Sequence, residues 1–144
     1  MATRLVNAIE KGIVIDHIRA GLGPKLYHYL KLDKADFTVV MITNAVSQRL
    51  GRKDIIKIQN IIDLDYRVIG LVDDGATIST IENGAVVEKK NMKLPQSVEN
   101  VLHCKNPRCV TTIENVPHIF RLRDAGKRAY ACIYCEETAS DLEL

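Results

Sequence analysis

Gly12-Ile13-Val14-Ile15-Asp16-His17-Ile18 places β-branched residues in close succession before a polar approach to Gly21, which predicts a strand. Pro24 suits the first turn of a helix, and Leu22, Leu26, Tyr29 and Leu30 follow at three- and four-residue spacing along one face. A second strand is predicted over Thr38 to Ile42. A third runs from Asp54 to Ile62, with Ile56 and Ile58 on one face and Lys57 and Gln59 on the other. Asp63 or Asp65 opens a second helix whose stripe is Leu64, Val68, Leu71 and Val72, and Gly75 stops it. Ala76 to Ile81 and Ala85 to Lys89 pair as a hairpin across Glu82-Asn83-Gly84, because Asn-Gly is the strongest short turn signal. The order βαββαββ is the split βαβ, ferredoxin-like plan with one strand added, and its sheet is mainly antiparallel.

The cysteines divide the chain differently. None lies in the first 90 residues, and all four lie in the last 41. Between them runs Lys89-Lys90-Asn91-Met92-Lys93-Leu94-Pro95-Gln96, a polar, basic stretch whose proline cannot donate a backbone hydrogen bond. Two domains are expected, 1–92 and 93–144. The first can enclose a modest core; the second is marginal without a staple.

Cys104-x4-Cys109 and Cys132-x2-Cys135 are two short knuckles separated by 22 residues, a spacing that lets two loops present thiolates to one ion from opposite sides. Four sulfurs at about 2.3 Å satisfy tetrahedral Zn²⁺ and leave no position for water or substrate. One structural Zn²⁺ per chain is the leading reading, ahead of an iron–sulfur or redox role and of unrelated buried thiols. Lys105, Arg108, Lys127 and Arg128 stand near the knuckles in sequence and can offset the negative charge of the cluster. His103 and His118 are read as packed or surface residues, since four cysteines already complete a shell.

Composition narrows the alternatives. The chain has 144 residues, 47% hydrophobic and 26% charged, an ordinary globular balance. Twenty Lys and Arg against 18 Asp and Glu give a net charge of +2, too balanced for broad capture of nucleic acid. No apolar run spans a bilayer and no secretory signal leads the chain, so a cytoplasmic protein without a membrane partner is expected. A rival reading is a stand-alone zinc-ribbon protein that binds nucleic acid through Arg121, Arg123, Lys127 and Arg128. Residues 96–144 carry six Lys and Arg against seven Asp and Glu, the wrong sign for phosphate attraction. An independent enzyme built on Asp16-His17 lacks a paired nucleophile. Lys57, Lys89 and the Asp16-His17 pair also have plain structural readings, as solvent-facing lysines on strands and a capping or solvated pair before a turn.

Three segments together carry a resemblance. Glu10-Lys11-Gly12-Ile13-Val14-Ile15-Asp16-His17-Ile18, Gly51-Arg52-Lys53-Asp54-Ile55-Ile56-Lys57-Ile58-Gln59-Asn60 and the four cysteines, with Asn100-Val101-Leu102 and Tyr134-Cys135-Glu136 beside them, resemble the regulatory chain of aspartate carbamoyltransferase. The resemblance covers nearly the whole chain in order. It implies an α+β fold, a ferredoxin-like antiparallel sheet domain with two helices followed by a small zinc-bound all-β domain. It implies a non-catalytic regulatory subunit in pyrimidine biosynthesis, inhibited through CTP and UTP and activated through ATP. The partners implied are the catalytic chain, held by the zinc domain, and a second regulatory chain in a dimer. Carried over position by position, the nucleotide site includes Ala8, Ile9, Val14, Asp16, His17, Ile55, Lys57, Ile81, Val86 and Lys89. Ser79 stands where the family pattern has an asparagine and Gly84 where a tyrosine is common, and Arg4 lies in the arm before the first strand.

Overall fold

Alternate isoleucines decide which face of the first sheet is inside. Ile13 and Ile15 on one strand, Ile56 and Ile58 on the next and Ile78 on a third are all buried, as period-two alternation dictates. The computed structural model describes residues 10–139, and the chain divides between Lys93 and Leu94 into two units, each with its own core.

In the first unit, β1 (Gly12–Arg19), β2 (Val39–Ser47), β3 (Gly51–Ile58), β4 (Thr77–Glu82) and β5 (Ala85–Asn91) form one sheet in the order β2-β3-β1-β4-β5. Every neighbouring pair is antiparallel, as the ferredoxin-like plan requires. Helix α1 (Gly23–Tyr29) has Pro24 in its first turn, and α2 (Tyr66–Val72) is capped by Asp65, whose carboxylate accepts from the Arg67 and Val68 N–H groups at 3.0 and 3.4 Å. Leu26 of α1 and Val68, Ile69 and Leu71 of α2 complete the core. Asn83 and Gly84, at φ 54° and 75°, turn the β4–β5 hairpin in the left-handed conformations that two-residue hairpin loops need.

Three boundaries differ from the sequence expectation. The second strand runs past Ile42 to Ser47, because Thr43 and Asn44 form a bulge rather than an end: Ile42 pairs with Ile55 and Ala45 with Lys53, so two residues of β2 face one of β3. The third strand begins at Gly51 and ends at Ile58, since Gly51 closes the hairpin opposite Ser47 and Ile58 makes the last pair, with Val39. The last strand continues through Lys90 and Asn91, which the polarity of the sequence assigns to the join; they pair with Ile78 and Thr77 and so extend the ladder.

In the second unit, β6 (Ser97–Glu99), β7 (Ile119–Asp124), β8 (Ala129–Cys132) and β9 (Thr138–Ala139) form an antiparallel sheet in sequence order, with a single helical turn, α3 (Val110–Ile113), after the first cysteine pair. Its small core is Val98, Leu102, Phe120, Tyr130 and Ala131 together with three of the cysteines. The Tyr130 hydroxyl donates to the Pro95 carbonyl at 2.7 Å, which fastens the start of the unit to its centre. No helix among the described residues is long and apolar enough to cross a membrane.

Candidate functional site

Turns at the ends of short strands bring all four cysteines together. Cys109 begins the α3 turn and Cys132 ends β8, so one loop supplies Cys104 and Cys109 and the other Cys132 and Cys135. The four sulfurs lie within 4.8 Å of one another, with Cys104 to Cys135 at 3.5 Å and Cys109 to Cys132 at 3.7 Å. These separations are far beyond a disulfide bond, and the thiols are free. A tetrahedron of sulfurs about 2.3 Å from a central ion has edges of about 3.8 Å, so the cluster fits one ion of that size. Burial pushes the Cys104 thiol up to about 12, whereas the Thr111 hydroxyl and backbone N–H beside Cys109 hold its thiol down to about 6. Four cysteine sulfurs converging at this spacing are a donor set suited to a divalent cation that takes thiolates.

The sheet register aligns the other candidates. Val40, Lys57, Val14, Ser79 and Lys89 are successive partners across all five strands, so their side chains share one face. Asp16 pairs with Thr77, Ile55 with Ile42, and Ile81 with Val86 on that same face, opposite the buried isoleucines. Seven of the expected residues (Val14, Asp16, Ile55, Lys57, Ile81, Val86 and Lys89) thus line one side of the sheet. His17 sits at its rim in a bulge at φ 58°, with Nδ1 3.0 Å from the Thr77 hydroxyl. Ala8 and Ile9, like Arg4, lie outside the described residues. Lys57 is half-buried in mid-sheet, while Val86 and Lys89 are exposed on the edge strand.

A model of the family described as aspartate carbamoyltransferase regulatory chain, allosteric domain, matches residues 4–93, and that of its metal binding domain matches residues 96–144. The chain belongs to the family of aspartate carbamoyltransferase regulatory chains. Relatives of that name include one from Clostridium botulinum, 52% identical over 136 residues, covering 94% of this chain and 93% of the relative. Another, from Clostridium tetani, is 49% identical over 134 residues, covering 92% and 93%. A third, from Bifidobacterium longum, is 44% identical over 135 residues, covering 93% and 97%. Family membership makes the chain a non-catalytic subunit, and its cysteine-bearing unit is a metal-binding domain.

Gly84 occupies the second left-handed position of the β4–β5 turn, where a residue with a Cβ is strained. Ser79 lies in the aligned row, between Val14 and Lys89.

Sequence reasoning missed three supporting residues. Lys53 reaches Asp16 from β3, Nζ to Oδ1 at 3.0 Å, and is largely buried in doing so. Burial alone raises the Asp16 pKa, but the hydrogen bond from Lys53 and the His17 N–H, at 2.6 Å, outweigh it and hold the carboxyl below its ordinary value. His118 accepts the Cys104 N–H on Nδ1 at 3.1 Å and so orients the first knuckle without being a ligand. Asp54, a carboxylate at a core position, is 1% exposed. Only the basic Gly51-Arg52-Lys53-Asp54 run hinted at the first and third of these, and fourteen residues separate His118 from the cysteine it supports.

Proposed function

We propose that this chain is a nucleotide-responsive regulatory subunit that binds an aspartate carbamoyltransferase catalytic chain through its second unit. The observation that carries the reading is the row of aligned side chains on the open face of the five-stranded sheet, where two cations flank apolar surface. Lys57 and Lys89 are donors for phosphate and for base or ribose oxygens, Asp16 is an acceptor for a ribose hydroxyl, and Val14, Ile55, Ile81 and Val86 offer apolar surface to a base. His17 donates to a phosphate oxygen from the rim. CTP and UTP as inhibitors and ATP as activator are the effectors this reading assigns, competing for one site.

The metal is Zn²⁺, one per chain, held by Cys104, Cys109, Cys132 and Cys135 in a closed shell whose role is structural. Exposed apolar side chains cluster along the two cysteine loops in sequence: Ile113 is 72% exposed, Ile133 38% and Tyr134 44%. They supply the kind of surface that a protein partner covers, and they support the catalytic chain as that partner. Two such regulatory chains pair as a dimer in the cytoplasm, with no role for nucleic acid.

Calorimetry of the purified chain with CTP and with ATP tests the effector site. Lys57→Ala is expected to weaken both by about 1.5–3 kcal/mol, the worth of a charge-assisted hydrogen bond at a half-buried position. Lys89→Ala has a smaller effect, because its ammonium is exposed at the sheet edge and screened by water. No heat of binding from either nucleotide at millimolar concentration would end the effector reading while leaving the metal domain untouched.

A further inference from the structure

The geometry points to Asp54 as the positioning residue that aims Asp16 and His17 at the open face, an inference that rests on the effector site proposed above. Asp54 lies on β3 between two bulges. On one side, Ile15 pairs with Ile56 and Ile18 with Asp54, so Asp16 and His17 together face the single residue Ile55. On the other, Thr43 and Asn44 of β2 face Asp54 itself. Each bulge contains a non-glycine residue in left-handed conformation, His17 and Asn44, both at φ 58°. Such residues persist only where their surroundings over-determine them.

The Asp54 carboxylate provides that constraint. It is buried and accepts three backbone N–H groups: Asn44 at 2.8 Å on Oδ1, and Gly21 and Gly23 at 2.9 Å each on Oδ2. It therefore holds the β2 bulge with one oxygen and the β1–α1 corner with the other. A second buried carboxylate, Asp73, accepts the Arg19 N–H at 2.7 Å and fixes the same corner from α2. The ladder with β3 breaks after Ile15 and resumes at Ile18, the pairing with β4 ends at Asp16, and these acceptors fix the chain from Arg19 to Gly23. The extra residue in between has nowhere to go except outward as the Asp16–His17 bulge. Without the Asp54 acceptors the corner can slide, and the bulge can migrate along β1 and carry His17 away from Thr77.

The test uses the full-length, metal-loaded chain with two variants. Asp54→Asn presents an amide NH₂ toward backbone donors that need an acceptor. Gly23→Ala keeps the carboxylate but places a Cβ 2.7 Å from its Oδ2, which pushes it aside. Each is expected to lower CTP affinity roughly tenfold, the equivalent of one lost hydrogen bond to a charged group. In a His17→Ala background the further loss should shrink to about twofold or less, while in a Lys89→Ala background the full tenfold loss should remain, because Lys89 lies on β5 away from the bulge. Equal losses in both backgrounds would show a general loosening of the domain and overturn the proposal. A nucleotide-free reading accompanies this: the His17 ring resonances should shift in both variants and those of His118 should not. If the wild-type chain binds no nucleotide, the effector reading fails, and the His17 resonances alone decide the role of Asp54. Unshifted His17 resonances refute it. Should Asp54→Asn fail to fold, Gly23→Ala carries both comparisons.

Discussion

Removing the metal should unfold the second unit and leave the first intact. Among the described residues, the large buried side chains of the second unit are Val98, Leu102, Phe120 and Tyr130. At about 2 kcal/mol for each, their burial contributes on the order of 8 kcal/mol, a thin core for a unit of this size. A structural Zn²⁺ held by thiolates contributes about 10–16 kcal/mol, comparable to or larger than the whole net stability of an ordinary domain. Loss of the ion is therefore decisive for this unit. The first unit has its own core of alternate isoleucines and two packed helices, and among the described residues it holds no metal-ligand cluster. Displacing the metal with a mercurial in the presence of a chelator, followed by hydrogen-exchange mass spectrometry, separates the two. Amides of β7 and β8 should lose protection while those of β1 and β3 keep it, and Cys109→Ser should give the same pattern without any reagent. Protection in β7 and β8 that survives metal loss would refute the reasoning, because the apolar core would then suffice.

Two further outcomes follow from the first unit. The Asp16 carboxyl is held below its ordinary pKa, so its contribution to stability is present above the usual carboxylate range and is lost as pH falls below about 4; Lys53→Met leaves burial less opposed and should move acid unfolding, followed by circular dichroism, to higher pH, whereas an unchanged midpoint contradicts the pairing. Gly70→Ala would ordinarily favour a helix by about 1 kcal/mol, but here the added Cβ meets the Lys93 carbonyl, which as backbone cannot swing aside, so the melting temperature should fall by several degrees; a rise would show that Lys93 does not approach α2 so closely.

How much of this was legible follows from what each signal depends on. The alternation of Ile13, Ile15, Ile56 and Ile58 and the Asn83-Gly84 turn are local patterns that the structure uses as they read, and of the two aspartates that could cap the second helix it uses Asp65. The cysteine spacing was legible for the same reason, since two knuckles announce themselves within a few residues. Bulges were not. An extra residue shifts the alternation by one, so at Thr43-Asn44 the period-two pattern breaks off where the strand in fact continues, and at Asp16-His17 the strand reads through with no sign of the bulge. Asp54 was equally hidden: a carboxylate at a core position looks solvated until the backbone N–H groups it serves, as far away as Gly21, are brought to it by the fold. The extension of β5 through Asn91 depended on a partner strand rather than on its own polar residues.

The measurement that tests the central claim most directly is reconstitution. An aspartate carbamoyltransferase catalytic chain is assayed for carbamoyl transfer alone and after mixing with this chain, each with and without CTP and ATP, and the mixtures are sized by chromatography. The account predicts that the two chains co-elute, that the catalytic chain responds to nucleotide only in the mixture, and that Lys57→Ala preserves co-elution while blunting the response. Co-elution lost in Cys109→Ser, with nucleotide binding kept, completes the division of labour between the units. A mixture that assembles yet shows no nucleotide response, or a chain that binds nucleotide but never joins the catalytic chain, would contradict it.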